Sequence, residues 1–595
     1  MTKSDLKALY QKRKESYSTS LEAVNKHINT ISTLRVAVAI AILLTGYLGL
    51  KTYDLLFLPP LLVIVFVWLV RKHGMLFREK THLTNLVAVQ ENELLALTGD
   101  TSHLRSGSEF IDVHHPYSHD LDLFGEGSIF QYINRCNTRK AKELLAARLS
   151  QKPQSVEQIT QWQGAVREVQ DKLEFRHELQ ALSMQVDDQP ADWQDLRNWL
   201  TEPAIIYGRK GYRLLLNVFP VITVLLVISS FFIDGLSRFA ILAAGFQWAF
   251  LGIHLKRVNK FHQHISRKKN ALEKYADILR CIRKESFTSP QMTSIASRAG
   301  QGDQRVEHLA SLVSAFDARL NSMTNLVVNS LLFYDLQCVY RLEKWKEGNA
   351  TQLFEWLAAV HETEVVVSLA TFAFNHPGYF FPRVNHERRL SAKGLGHPLL
   401  PEEVRVVNDI TLDQKSSVMI VTGANMAGKS TFLRSLGVNM VLALAGAPVC
   451  ANEFDCPFVD LRSGMRTADS LKENQSYFYA ELDRLKSIMD ELRRGTPLFI
   501  LLDEILKGTN SNDKQAGSIE LVKQLVNYPC LVVIATHDLV LGELANSFPD
   551  RIANYSFEAT IENDHLSFDY KLKRGVAQTM NATFLMKKMG IIGSK

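Results

Sequence analysis

The chain is poor in cysteine. Its 595 residues hold six (Cys136, Cys281, Cys338, Cys450, Cys456 and Cys530), with no C-x-x-C pair among them. That spacing excludes the usual zinc ligand sets and a disulfide framework, so free thiols are expected. Charge of one sign is scarce as well: 68 Lys and Arg stand against 62 Asp and Glu, a net +6. So small an excess gives no strong electrostatic footprint for nucleic acid. No internal repeat or low-complexity tract occurs, which sets aside repeat arrays. The length leaves room for roughly three or four domains.

What is present is local and specific. Residues 423–430 read Gly423, Ala424, Asn425, Met426, Ala427, Gly428, Lys429, Ser430, a G-x-x-x-x-G-K-S pattern. It follows an apolar stretch, 418–421, and precedes a helical pattern that starts near Thr431. In that context the glycines let backbone N–H groups wrap a phosphate. The lysine reaches the β/γ-phosphates and the terminal hydroxyl can ligate Mg²⁺. The competing reading is a Gly-rich turn that binds nothing. A second apolar run, 498–502, fits a buried parallel strand and ends in Asp503 and Glu504, at the strand edge where α/β sheets place ligands. An aspartate there can hold Mg²⁺ and the adjacent glutamate can polarise water, although an acidic helix cap would look the same. A third run, 531–535, ends in Thr536, His537 and Asp538, and His537 could sense the γ-phosphate through the water.

These segments together resemble the ATPase domain of the MutS family of mismatch-repair proteins. Thr422 to Thr431 is similar to that family's T-G-P-N-M-G-G-K-S-T. Asp503 to Thr509 resembles D-E-I-G-R-G-T, and Ala535, Thr536, His537 resemble A-T-H. Ser476 to Glu481 is similar to S-T-F-M-x-E, whose serine in the family reaches the ATP of the partner subunit. His397 and Pro398 resemble the R-H-P that opens the domain, and Tyr570 sits about where the family's adenine-stacking ring should be. The chain departs from the pattern at Ala424, Ala427, Asn474, Gln475 and Leu506, the last in place of a glycine. Farther upstream, 127–149 and the stretch around 364–370 resemble the family's lever. Nothing before residue 108 resembles the mismatch-reading domain, its Phe-x-Glu wedge is missing, and a DNA clamp has at most the interval 290–340.

Where those parts would lie, the sequence has apolar runs. They span 36–50 and 55–70, then 214–233 and 236–255. A spanning helix needs about 20 apolar residues, a length the second pair reaches and the first just misses. The alternative, buried hairpins in a soluble core, is disfavoured because core helices are rarely apolar on every face. Arg35, Arg71, Lys72, Arg209, Lys210, Arg213, Lys256 and Arg257 flank the outer ends, against Lys51 and Arg238 near the inner turns. That asymmetry puts the turns outside and the rest in the cytoplasm, in a cell-membrane protein of about four spans. The 33 or so polar residues ahead of the first run do not fit a signal peptide. The basic stretch 256–284 is expected as a solvated, membrane-proximal face.

The expected architecture is multidomain. It has an N-terminal cytoplasmic helix (1–33), a transmembrane hairpin (34–72), the linker and start of an all-α lever (73–212) and a second hairpin (213–256). The helical lever resumes over 257–395, and a C-terminal α/β P-loop NTPase domain of ABC/MutS type occupies 396–595. Expected linkers are 99–116, 301–304 and 377–396. By resemblance, ATP and Mg²⁺ would bind at 423–431, with Ser430 and Asp503 on the metal. Glu504 and His537 would be catalytic, Ser476 would contact the partner's ATP, and Tyr570 would bind the nucleotide. A homodimer, membrane lipids and DNA without mismatch specificity are the implied partners. A transport or signalling ATPase that binds no DNA is the alternative, although no L-S-G-G-Q segment occurs.

Overall fold

A computed structural model describes residues 1–51, 57–187, 190–266, 268–466, 477–506, 510–562 and 565–578. The first hairpin pairs two very long helices, Lys3–Gly49 and Leu58–Leu97. At 1.5 Å per residue the first, of 47 residues, is about 70 Å long, more than twice a bilayer core. Thr2 caps it in a reciprocal box with Asp5. No break falls at the expected 33/34 boundary: one helix carries both the polar and the apolar part.

The polar ends of this hairpin dock on the helical core. Tyr10, fully buried, donates its hydroxyl to Asn375 Oδ1 at 2.7 Å, and Asn375 Nδ2 donates to Glu93 Oε2 at 2.7 Å. Glu93 also takes both Nε and Nη2 of the buried Arg135. Breaking one partner of such a pair costs about 3–5 kcal/mol, because the other charge is left uncompensated. The apolar ends point away from any protein: Ile40, Leu43, Ile64 and Trp68 are each 60% exposed or more.

The second hairpin, Lys210–Ser229 and Leu236–Ile265, repeats the pattern, with Phe231, Phe232, Ile241 and Leu242 exposed. Between and after the hairpins, short amphipathic helices pack around one long return helix, Tyr334–Asn375. Residues 301–304, expected as a linker, instead form the cap and first turn of helix Gly302–Asp317. Gly302 is needed there, since a Cβ would lie 2.7 Å from the Trp356 ring. The basic stretch 256–284 is divided between two helices, and the second, Lys269–Lys284, buries Leu272, Tyr275, Leu279 and Ile282.

Among the described residues the C-terminal part holds two sheets. A four-stranded sheet comprises β1 (Arg383–Asn385), β2 (Leu390–Leu395), β3 (Asn408–Leu412) and β5 (Glu453–Pro457), in the order β1-β5-β2-β3. It begins thirteen residues ahead of the expected boundary at 396. The six-stranded sheet contains β4 (Val418–Gly423), β6 (Asp460–Gly464), β7 (Leu498–Asp503), β8 (Cys530–Thr536), β9 (Ile552–Glu562) and β10 (His565–Arg574). Its order is β10-β9-β4-β8-β7-β6, parallel except for β10. Every residue of β4 and β8 is buried, as expected of central parallel strands covered on both faces.

Candidate nucleotide-binding site

The three apolar runs read from sequence become the adjacent strands β4, β8 and β7. Their carboxyl ends carry the polar residues singled out above. After β4 the chain turns through Met426 (φ +67°) and Gly428 (φ +100°) into helix Lys429–Ala445. Gly428 suits that left-handed turn, where a Cβ would also crowd Tyr570 Cδ1 at 3.0 Å, and Gly423 backs directly onto the Phe557 carbonyl. Lys429 is buried and folds back under the loop, donating to the carbonyls of Gly423 (2.7 Å) and Ala424 (2.8 Å). Burial pulls its ammonium below the ordinary lysine range, and Glu504 and Asp503 oppose that shift.

A cavity of about 580 Å³ opens over this turn. Asn425, Met426, Ala427, Gly428, Lys429, Ser430 and Thr431 line it, together with Asp503 and Glu504 from the end of β7 and Tyr570 from β10. His537 does not line the cavity but reaches it through Glu504, with Nδ1 3.2 Å from Oε1. The Glu504 N–H donates to the Ala535 carbonyl at 2.9 Å, which ties the ends of β7 and β8 together. The donor set fits a triphosphate with a divalent cation: one buried ammonium, the hydroxyls of Ser430 and Thr431 and two carboxylates around a cluster of backbone N–H groups. Ser476, with Lys507, Gly508 and Thr509, lies outside the described residues.

Sequence reading missed the opposite wall. His397, Leu400, Val404 and Asn408 line the same cavity, and only the His397-Pro398 pair had signalled that segment. Burial pushes the His397 imidazole down to about 4, so it is neutral at pH 7. Leu506, in place of the family's glycine, has φ +59°, a left-handed conformation that costs a residue with a side chain about 1–2 kcal/mol. Its N–H donates to Glu481 Oε1 at 2.6 Å, linking the strand-end carboxylates to helix Tyr477–Arg493.

A second missed feature joins the lever to this domain. Asp120, fully buried, accepts from Ser463 Oγ (2.7 Å), Met465 N (3.0 Å) and Arg466 N (3.1 Å), and pairs with Arg484 at 2.9 Å. Asp122 takes the Arg466 guanidinium, and Leu121 between them fills the space left by Gly437 of helix Lys429–Ala445.

Residues 419–589 match the family model MutS domain V. The DNA mismatch repair protein MutS of Thermotoga maritima is 31% identical over 228 residues, which are 38% of this chain and 28% of that protein. The MutS of Shouchella clausii is 30% identical over 259 residues, 42% of this chain and 29% of its own length. That of Chloroflexus aurantiacus is 31% identical over 244 residues, 40% and 25%. The chain thus spans less than a third of the length of these curated relatives. The matched region carries the phosphate loop, the strand-end carboxylates and the histidine just described, and it is this C-terminal region of the chain that is of the MutS family.

Proposed function

We propose that this chain is a membrane-anchored MutS-type ATPase that works as a homodimer. One observation carries the reading: Lys429, Ser430, Asp503 and Glu504 converge on a single cavity at the carboxyl edge of a parallel sheet. On binding ATP, Lys429 exchanges the carbonyls of Gly423 and Ala424 for phosphate oxygens. The N–H groups at the start of helix Lys429–Ala445 face the same charge. Leu400, Val404 and Tyr570 offer an apolar wall to the base. Ser430 and Asp503 would hold Mg²⁺, which supplies charge neutralisation of the phosphates. Glu504 orients and polarises water, and His537 fixes the Glu504 carboxylate from outside the cavity. ATP-driven closure of two such domains, with Ser476 reaching across, is the dimer that the family resemblance implies.

The test uses the full chain in detergent or lipid. Lys429→Ala abolishes nucleotide binding. Glu504→Gln retains binding and slows hydrolysis by roughly 10²–10⁴-fold, the usual contribution of a positioned base. Hydrolysis at the wild-type rate in Glu504→Gln would remove Glu504 from its role.

Relatives named as mismatch-repair proteins suggest DNA as a partner, bound without mismatch preference. One observation favours the second reading, an ATPase of a membrane transport or signalling assembly. The interval that a clamp would need is taken by helices Pro290–Ala299, Gly302–Asp317 and Ser322–Leu332, which pack on the core or on the second hairpin. Titrating binding to duplex, branched and single-stranded DNA with salt separates the two. A steep fall in affinity marks phosphate contacts, and no binding at low salt leaves the membrane reading.

A further inference from the structure

Helix Ser322–Leu332 is too short to span a bilayer, and its polarity is reversed relative to a surface helix of a soluble protein. Leu320 just ahead of it and Met323, Leu326 and Val327, at i, i+3, i+4 spacing, are 55–78% exposed. The polar side of the helix is the covered one. Asn329 is buried, hydrogen-bonded to Asn325 and accepting the Asp335 N–H at 2.9 Å, and Ser330 accepts the Trp248 indole N–H at 2.9 Å.

The placement of this helix against the second hairpin gives its depth. Arg319, just before it, donates to Asn259, and Ser330 near its end meets Trp248. Eleven residues separate each pair along its own segment, so the short helix lies antiparallel along helix Leu236–Ile265. Lys256 and Arg257 mark the basic flank of that helix. Trp248 is eight residues inward from Lys256, about 12 Å at 1.5 Å per residue. The short helix therefore starts at the level of the basic flank and ends well inside the apolar stretch. At its deep end the chain reverses at Phe333, whose φ is +49°. Besides the Asp335 N–H, which Asn329 accepts, the groups exposed by the break meet Gln247. Gln247, buried within the hairpin, accepts the Phe333 N–H at 2.9 Å and donates to the Leu331 carbonyl (3.3 Å) and Thr223 Oγ1 (2.8 Å). A break in backbone hydrogen bonding at membrane depth is tolerated only where protein covers it, and Gln247 provides that cover.

We infer that Ser322–Leu332 is a re-entrant helix, a fifth membrane element that presents Met323, Leu326 and Val327 to lipid acyl chains. The inference rests on the proposed membrane location of the second hairpin. Continuity of the exposed row with the lipid-facing hairpin, and Gln247 capping the reversal, favour lipid over a protein partner.

The experiment places a nitroxide on Met323→Cys, Val327→Cys, Leu242→Cys and Gln304→Cys, each with Cys281→Ser, in the full chain in phosphatidylcholine vesicles. Collision with oxygen and with an aqueous nickel chelate reports the surroundings. The expected result is that 323 and 327 behave like Leu242→Cys, open to oxygen with loss of most of the nickel broadening seen at Gln304→Cys. If Leu242→Cys is in lipid but 323 and 327 are open to nickel, the re-entrant helix is wrong and the hairpin stands. If 323 and 327 are shielded from both probes, a second copy or another protein covers the face, and the inference fails. If Leu242→Cys is itself open to nickel, the membrane reading falls and this inference falls with it.

Discussion

Two helices of this molecule are alike in apolarity and opposite in surroundings. Over their most apolar eighteen residues, 17% of Leu236–Ile265 is buried in protein and 78% of Tyr334–Asn375. Both are long and apolar enough to cross a membrane. The difference lies in what interrupts each run. The return helix carries His361, Glu362 and Glu364 among its valines and leucines, whereas the hairpin helix has no acidic residue, only Arg238 near its outer turn and His254 beside the basic flank. Glu364 is buried and accepts from Asn137 N (2.8 Å), Thr138 N (3.2 Å) and Thr138 Oγ1 (2.5 Å). A carboxylate with three prearranged donors marks a protein core, and an apolar run without acidic residues is what the proposed lipid-facing reading requires of the hairpin.

The strongest test of that contrast is Glu364→Ala. In a core helix it strands two backbone N–H groups and a hydroxyl, and should lower stability by about 4 kcal/mol in urea titration. A lipid-facing helix would instead insert more readily without the carboxylate, so a stabilised variant would overturn the assignment. Leu242→Arg is the mirror experiment. At the middle of a spanning helix it should cost about 3 kcal/mol of insertion, seen as loss of carbonate-resistant membrane association. In a water-exposed helix the same change would be neutral.

Acid sharpens the contrast further. Burial, aided by Lys140, pushes the His361 imidazole down to about 3, so it is neutral in the fold. Its folded-state pKa lies below the unfolded value near 6.5, so the unfolded chain takes up the proton first. Stability is complete above about pH 6.5 and drains as pH falls toward 3. Between pH 7 and pH 5 the return helix should lose about 2 kcal/mol through this group. Denaturant midpoints at the two pH values, with His361→Gln flattening the difference, provide the check. The smallest effect is expected within one hairpin. Tyr10→Phe at its base removes a buried hydrogen bond worth about 1 kcal/mol, while Leu43→Ala near its tip should leave the detergent-solubilised core unchanged. Equal effects at both sites would mean that the tip also packs on protein.

The phosphate loop and the ends of β7 and β8 were legible because their chemistry is written in contiguous residues. Glycines, a lysine and a hydroxyl come at fixed spacing after an apolar strand. The paired long helices were legible from the length of their apolar runs. What escaped was long-range. Asp120 is 343 residues from Ser463, and no local pattern announces that pairing. The exposed apolar row of helix Ser322–Leu332 escaped because nothing in eleven residues tells which side is covered until the partners of Asn329 and Ser330 are known. The apolar wall of the cavity at Leu400 and Val404 lies on a loop without periodicity. Leu506 was noticed as a departure from glycine, but its left-handed backbone could not be read from the letters.

Asp120 also decides what can be cut from this protein. A fragment starting at β1 would keep every phosphate-binding residue and every strand of both sheets. It would nonetheless leave the N–H groups of Met465 and Arg466, the Ser463 hydroxyl and the Arg484 guanidinium without the carboxylate that neutralises them, and would open a slot at Gly437 where Leu121 sits. The domain outlined by family resemblance therefore has part of its buried sheet edge completed by residues that lie outside it. The seven residues 117–123, made hundreds of residues earlier in synthesis, find these partners only once the last third of the chain exists.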